Sequence, residues 1–203
     1  RRWCGPEDSV AITGGDPAPG GAVTLSTQAV HFGAIRANGP QPLIRSRMTA
    51  TGSPAEFAAE RVRYQGGPLP NPGSEFAVWA DNGDGTFDPK LDVKRGASPI
   101  FTLGPSTYTV VFSTPVLLPP GTPKDFFITL DENMGFGLAS GSGGVMIDAA
   151  TSYTLSAGTF SVTPAFPIQT GALPILAVVR SSLEATPVGQ GGAQVSPYFF
   201  FPG

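Results

Sequence analysis

The segment Asp81-Asn82-Gly83-Asp84-Gly85-Thr86-Phe87-Asp88, followed by Asp92, is the part of this sequence best suited to chemistry. It places four of the chain's 15 acidic residues within twelve positions. Ca²⁺ takes six to eight hard oxygen ligands, and closely spaced Asp and Asn side chains with backbone carbonyls supply such oxygens. Glycines at 83 and 85 permit the sharp turn that aims successive oxygens inward. Carboxylates crowded together with no cation repel one another, so one reading is a calcium-stiffened loop between two strands. Mg²⁺, which prefers to keep its waters, suits the stretch less well. The other reading is an acidic Asn-Gly, Asp-Gly turn that simply reverses the chain.

Little else in the sequence points to catalysis. His31, the single histidine, lies in the alternating stretch Ala29-Val30-His31-Phe32 and is expected to face solvent beside the core. There is no G-x-S-x-G elbow, no H-E-x-x-H and no Gly-rich phosphate loop. Asp125, Asp131, Glu132 and Asp148 stand near turns, where solvated strand ends are expected rather than the facing acids of a glycosidase. A non-enzymatic protein is therefore expected. Arg45 with Arg47, and Arg61 with Arg63, share faces of their strands by alternate spacing. Were the two strands neighbours, four guanidiniums would line one outer face and suit an acidic glycan or acidic partner; solvated charges that guard against edge aggregation are the plainer reading.

The positioning elements follow from composition. Across 203 residues, 27 Gly and 22 Pro punctuate the chain too often for long helices, without the G-X-Y period of collagen. Charged residues are 13% and hydrophobic ones 40%, the opposite balance to a disordered chain. Lys+Arg 12 against Asp+Glu 15 leaves no basic excess for nucleic acid. No apolar run approaches the roughly 20 residues of a membrane-spanning helix.

Val23, Leu25 and Thr27 alternate with polar residues, as do Ile44, Ser46, Met48 and Ala50. Ser53-Pro54-Ala55-Glu56 fits a helix start, which predicts a short helical turn and then strand through Tyr64. Short strands are expected at Phe76–Trp79, Tyr108–Phe112, Phe126–Leu130, Val145–Ile147, Tyr153–Leu155, Phe160–Val162 and Ile175–Val179. Gly135 to Gly144 reads as a hairpin loop. Repeated short strands without helices predict an all-β, antiparallel Ig-like β-sandwich with extended N- and C-terminal segments. The expected divisions are an arm over 1–21, the sandwich over 22–186 and a Gly-hinged aromatic tail over 187–203.

Tyr64, Trp79 and the loop 81–88, with Pro119-Pro120-Gly121-Thr122 leading into Phe126 to Asp131, resemble bacterial secreted and cell-surface β-sandwich repeat modules with a DxDG-type calcium loop. The likeness covers about residues 45 to 131. It implies Ca²⁺ held by Asp81, Asp84, Asp88 and Asp92 with the Thr86 carbonyl. Ala80 stands where those modules place the first acid, and Asp92 falls one position late.

The termini suggest a partner. Tyr198-Phe199-Phe200-Phe201 would form an exposed apolar patch in water. With Val195, these residues are expected to contact another subunit, as a donated strand or a groove-filling plug. The chain opens Arg1-Arg2-Trp3-Cys4. A processed or truncated chain is the simplest expectation, with lone Cys4 unable to form an internal disulfide. The combined expectation is a structural subunit of an extracellular, cell-surface bacterial filament, polymerising with copies of itself by strand or tail exchange. The alternative is a calcium-stabilised adhesin or carbohydrate-binding module of a larger secreted protein, with Trp3, Tyr64 or Trp79 stacking on a glycan.

Overall fold

The computed structural model describes residues 20–31, 33–36, 39–66, 74–100, 106–131 and 141–176. These residues are all-β: β1 (Ala22–Ala29), β2 (Ile35–Arg36), β3 (Pro40–Thr51), β4 (Ala55–Tyr64), β5 (Glu75–Ala80), β6 (Val93–Pro99), β7 (Thr107–Leu118), β8 (Lys124–Asp131), β9 (Gly141–Gly143), β10 (Val145–Ile147), β11 (Tyr153–Ala157), β12 (Thr159–Val162), β13 (Ile168–Gln169) and β14 (Leu173–Leu176). A 3₁₀ turn at Ala150–Ser152 precedes β11, and there is no α-helix among the described residues.

Six strands form one sheet in the order β12-β1-β3-β8-β5-β6. In the facing sheet β4 is central, with β7 along one side and β11 and then β10 along the other, and β13 pairs with β10. A small third sheet, β2-β14-β9, completes the strand set. Most pairings are antiparallel, as the sequence predicts. The exceptions are parallel, β1 with β12 and β2 with β14. β6, a strand with no clean apolar alternation, and the two-residue strands β2 and β13 were not foreseen. Gly141–Gly143, inside the expected hairpin loop, forms β9 against β14.

The two large sheets close on each other through aromatic rings. Phe57 of β4 meets Phe126 of β8 at 4.9 Å and Phe112 of β7 at 4.8 Å, both edge-to-face. Phe76 of β5 packs against Tyr108 of β7 at 5.4 Å. Val23, Leu25, Ile44, Met48, Val78, Val110, Ile128 and Leu130 fill the remaining interior.

Two bulges decide which side chains point inward. Pro42 has no N–H to give, and the β3–β8 register slips between Pro42 and Ile44. Leu43 and Ile44 are both buried in consequence. The second slip lies between Phe57 and Ala59 of β4 and is felt by both flanking strands. Before it Ala55 and Phe57 face the core; after it Glu60, Val62 and Tyr64 do. The expected helical turn at Ser53 is absent. β4 is strand from Ala55 onward because its apolar residues repeat with a period near two and both its edges find partners. Ser53 instead belongs to a tight turn in which Gly52 has φ +77° and the Ser53 amide donates to the Thr51 carbonyl at 3.1 Å.

β1, the first strand among the described residues, starts at Ala22. Gly20 and Gly21, assigned to the arm, are tied to the sandwich by hydrogen bonds that their amides donate to the Pro54 carbonyl at 2.7 and 2.9 Å. The rest of the arm with Cys4, residues 177–179 of the strand expected over Ile175–Val179, and the tail with Val195 and Tyr198–Phe201 lie outside the described residues. No helix is long and apolar enough to cross a membrane among the described residues.

Phe57→Ala removes the ring that joins both sheets. It is expected to lower the unfolding free energy by about 3–5 kcal/mol. Urea unfolding followed by tryptophan fluorescence checks this; a loss below about 1 kcal/mol would place the structural centre elsewhere.

Candidate functional site

The acidic loop connects β5 to β6 and folds back over the outer face of the six-stranded sheet. Phe87 is its anchor. Its ring meets Trp79 of β5 edge-on at 5.6 Å and Phe127 of β8 at 5.6 Å. Trp79 is therefore neither inner core nor a free sugar platform: half-buried, it lies under Phe87 and donates its indole N–H to Thr129 Oγ1 at 3.1 Å. The Lys94 ammonium stands 5.9 Å from its ring centroid and pairs with Glu75. Tyr64, another proposed sugar-stacking residue, is buried and donates its hydroxyl to the Ser142 carbonyl at 2.7 Å. Trp3 lies outside the described residues.

The loop carboxylates turn onto the loop's own amides. Asp81 Oδ2 accepts from Gly83 and Gly85 at 3.1 and 2.9 Å. Asp84 Oδ1 accepts from Thr86 at 2.7 Å, and Asp88 Oδ1 from Lys90 at 2.9 Å. Asp92 spans the loop, with Oδ1 accepting from Asn82 at 3.0 Å and Oδ2 from Asp88 at 2.9 Å. Gly83 and Gly85 have φ of +113° and +77°, the left-handed region the turn requires. Burial raises the Asp81 carboxyl pKa, the Gly85 and Gly83 amides oppose the rise, and the nearby charges of Asp92 and Asp84 add to it. Yet no three Asp, Glu, His or Cys side chains converge as a metal-holding group among the described residues. One oxygen, Asp81 Oδ1, is buried without a partner. This buried oxygen could meet a cation without first giving up a hydrogen bond.

Beside the loop lies a cationic cluster. Asp125 of β8 is 7% exposed and takes both Arg47 (Nε to Oδ1 at 2.9 Å, Nη2 to Oδ2 at 2.8 Å) and Arg45 (Nη2 to Oδ2 at 2.6 Å). The sequence placed Asp125 at a solvated strand end; here it is the buried pivot between two guanidiniums. Burial disfavours its charge, but the hydrogen bonds and positive charges of Arg47 and Arg45 outweigh burial and hold its carboxyl pKa below the usual value. Arg45 also lies over Phe127 at 5.9 Å and sits against Gly85, where a Cβ would approach its Nη2 to 2.9 Å. The loop's negative charge thus meets two arginines of the sheet.

The four arginines do not share a face. Arg45 and Arg47 ride on β3 in the six-stranded sheet; Arg61 and Arg63 ride on β4 in the facing one, where Arg63 pairs with Asp148. What the first pair does form is the wall of a shallow polar groove of about 150 Å³ lined by Ser26, Thr27, Gln28, Arg45 and Arg47. His31 lies apart from it, partly buried, with Nε2 3.1 Å from the Ala34 carbonyl.

Sequence reasoning overlooked one group. Glu60 is fully buried between the sheets, and neither carboxyl oxygen has a hydrogen-bond partner. It shares the even-numbered parity of Val62 and Tyr64, the signal that could have found it.

No protein-family model matches the chain, and neither does any curated protein. Among solved structures the chain is similar to one described as "AvmM Catalyzes Macrocyclization in Alchivemycin A Biosynthesis", at 10% identity and a TM-score of 0.36, covering 79% of this chain and 92% of that one. So distant a likeness carries no argument about this chain.

Asp125→Ala strands two guanidiniums on a covered face. It is expected to lower stability by about 1–3 kcal/mol at pH 7. Because the folded pKa of Asp125 is depressed, its contribution is present above its unfolded pKa and disappears as pH falls through the folded one. Thermal melts from pH 7 to 2 should therefore show a shallower acid decline in the variant; parallel curves would remove this pair from the acid limb.

Proposed function

We propose that the chain is a structural β-sandwich subunit of an extracellular bacterial surface filament or fibre, whose copies join by strand or tail exchange. The observation that carries this reading concerns sheet edges. The large apolar side chains left exposed among the described residues are Leu91, Val93, Val111, Leu117 and Val162. Val162 lies on β12, which among the described residues pairs only with β1 and borders the six-stranded sheet; Val93 lies on β6 and Val111 and Leu117 on β7, border strands of the two sheets that pass close to each other at Gly96 and Val111; Leu91 lies in the loop feeding β6. An open edge offers unpaired N–H and C=O groups, and monomeric proteins blunt such edges with charge. The β12 edge, where Val162 is exposed, suits an added strand from a second copy, paired through the main chain and gripped by alternate side chains. The occupant is the segment 187–203, with Val195 and Tyr198–Phe201 supplying the apolar surface.

Deleting 187–203 tests this. The full chain should form concentration-dependent oligomers by light scattering and fibres by negative-stain microscopy, while the truncated chain stays monomeric with an unchanged melting profile. A full chain that stays monomeric throughout, or a truncated chain that assembles equally, overturns it.

Ca²⁺ belongs to the same proposal as a brace for the loop 81–92. Its support is the partnerless Asp81 Oδ1 among oxygens suited to a hard cation. Asp81, Asp84, Asp88 and Asp92 with the Thr86 carbonyl would hold it, and the ion would neutralise the loop and fix its shape. Millimolar Ca²⁺ should raise the melting temperature of the wild type and not of Asp81→Asn, with chelator reversing the gain. Identical melts with Ca²⁺ and chelator remove the metal.

The second reading, a glycan-binding module, draws on the groove along β1 and β3. Two guanidiniums beside hydroxyl and amide groups suit an acidic sugar. Uronate-bearing glycans retained by the wild type and lost by Arg47→Ala would favour it.

A further inference from the structure

The interior holds a polar cluster that neither assembly nor the loop explains. Tyr153 of β11 directs its hydroxyl across the sandwich to Ser46 Oγ of β3 and Thr27 Oγ1 of β1, each at 3.0 Å. Those two side-chain oxygens lie 3.5 Å apart. On its own side Tyr153 is paired in register with Glu60 of β4. The cluster therefore ties β11 and β4 of one sheet to β1 and β3 of the other.

Glu60 is the member out of balance. It is turned inward by the bulge between Phe57 and Ala59, and its ladder neighbour from β7 is Val110. From β11 the group acting on it is the Tyr153 hydroxyl; Ser46 and Thr27 stand behind that hydroxyl and carry no charge. No cation is among the groups that act on Glu60, unlike Asp125 with its two arginines. A carboxylate buried without a counter-charge is far costlier than the neutral acid, even beside one hydroxyl.

We propose that this cluster is a proton-operated latch: while Glu60 keeps its proton the two sheets stay closed over Tyr153, and loss of that proton drives β11 away from β4 and opens the β4 edge.

Burial, offset in part by the Tyr153 hydroxyl, raises the Glu60 carboxyl from 4.5 to about 8. The raised folded value fixes the sign. The contribution is fully present below the unfolded pKa and is lost as pH rises through the folded one. Across that window the native state holds one more proton than the unfolded state, so the unfolding constant grows about tenfold per pH unit. β11 is the element to yield first because it is a five-residue edge strand that carries Tyr153 opposite Glu60, whereas β7, the other border strand along β4, has twelve residues.

Two measurements on the full chain test the latch. The first needs no variant: infrared spectra of the folded wild type should show a buried protonated carboxylic acid at pH 6 whose band bleaches near pH 8. A folded protein lacking that band overturns the proposal. The second compares wild type with Glu60→Gln, which keeps size and polarity and cannot ionise. Amide hydrogen exchange in residues 153–157 and 55–60 should accelerate above pH 8 in the wild type at least tenfold more than in the variant. The wild type should also release about one more proton on unfolding at pH 6.5. Equal acceleration in both proteins, or acceleration spread evenly over both sheets, overturns the latch.

Discussion

The sandwich depends on one slipped register. β4 is paired on both sides, and both of its ladders skip a residue between Phe57 and Ala59. Because side chains alternate with a period of two, a one-residue slip exchanges the faces of everything beyond it. Without it, Phe57 could not share the interior with Val62 and Tyr64, and Arg61 and Arg63 would point into the core. With it, Phe57 locks β4 onto β8 through Phe126, and the arginines stay in solvent. Glu60 enters the interior as the companion of that arrangement.

The outer face of the six-stranded sheet is organised by cover rather than by solvent. Phe126, Ile128 and Leu130 of β8 face the core, yet Asp125, Phe127 and Thr129 on its other side are buried as well. The loop 81–92 supplies this second cover through Phe87, and Arg45 and Arg47 complete it. The loop's charge is met from below. Arg45 lies against Gly85, while Asp81 contributes to the raised Arg47 pKa after Asp125 itself, the larger cause. Acidic residues that look in isolation like a cation's ligands are part of a mixed-charge surface once the sheet beneath them is included.

This explains what the sequence could and could not disclose. Strands whose apolar residues alternate strictly were legible, because period-two burial is written locally: β1, β3 and β8 fall where their patterns put them. β6 was hidden because its residues Val93 to Pro99 are half-exposed at a sheet border and need no apolar rhythm. The helix start at Ser53 misled because Ser-Pro-x-Glu is a local signal, whereas β4 is decided by partners far along the chain. The acidic loop was legible as a feature. Its anchoring was not, since Phe87 finds Trp79 within the same hairpin but Phe127 only 40 positions later. The two arginine pairs illustrate the same limit: spacing fixes a face within a strand, and pairing order alone decides whether two strands share a sheet.

Two of the buried carboxyls, Asp125 and Glu60, show how one fold sets opposite demands on protons. Asp125 sits where two guanidiniums reach it, so its charge is the favoured form and acid works against the structure there. Glu60 sits in hydrocarbon with only the Tyr153 hydroxyl acting on it, so its neutral form is favoured and base works against the structure instead. Neither outcome follows from residue type. Each follows from which neighbours the strand order supplies: β3 brings cations to Asp125 on the outer face and, of its polar side chains, only Ser46 to the interior. The same strand thus braces an ion pair on one side and backs a neutral acid on the other, and its alternation keeps the two chemistries a sheet's thickness apart.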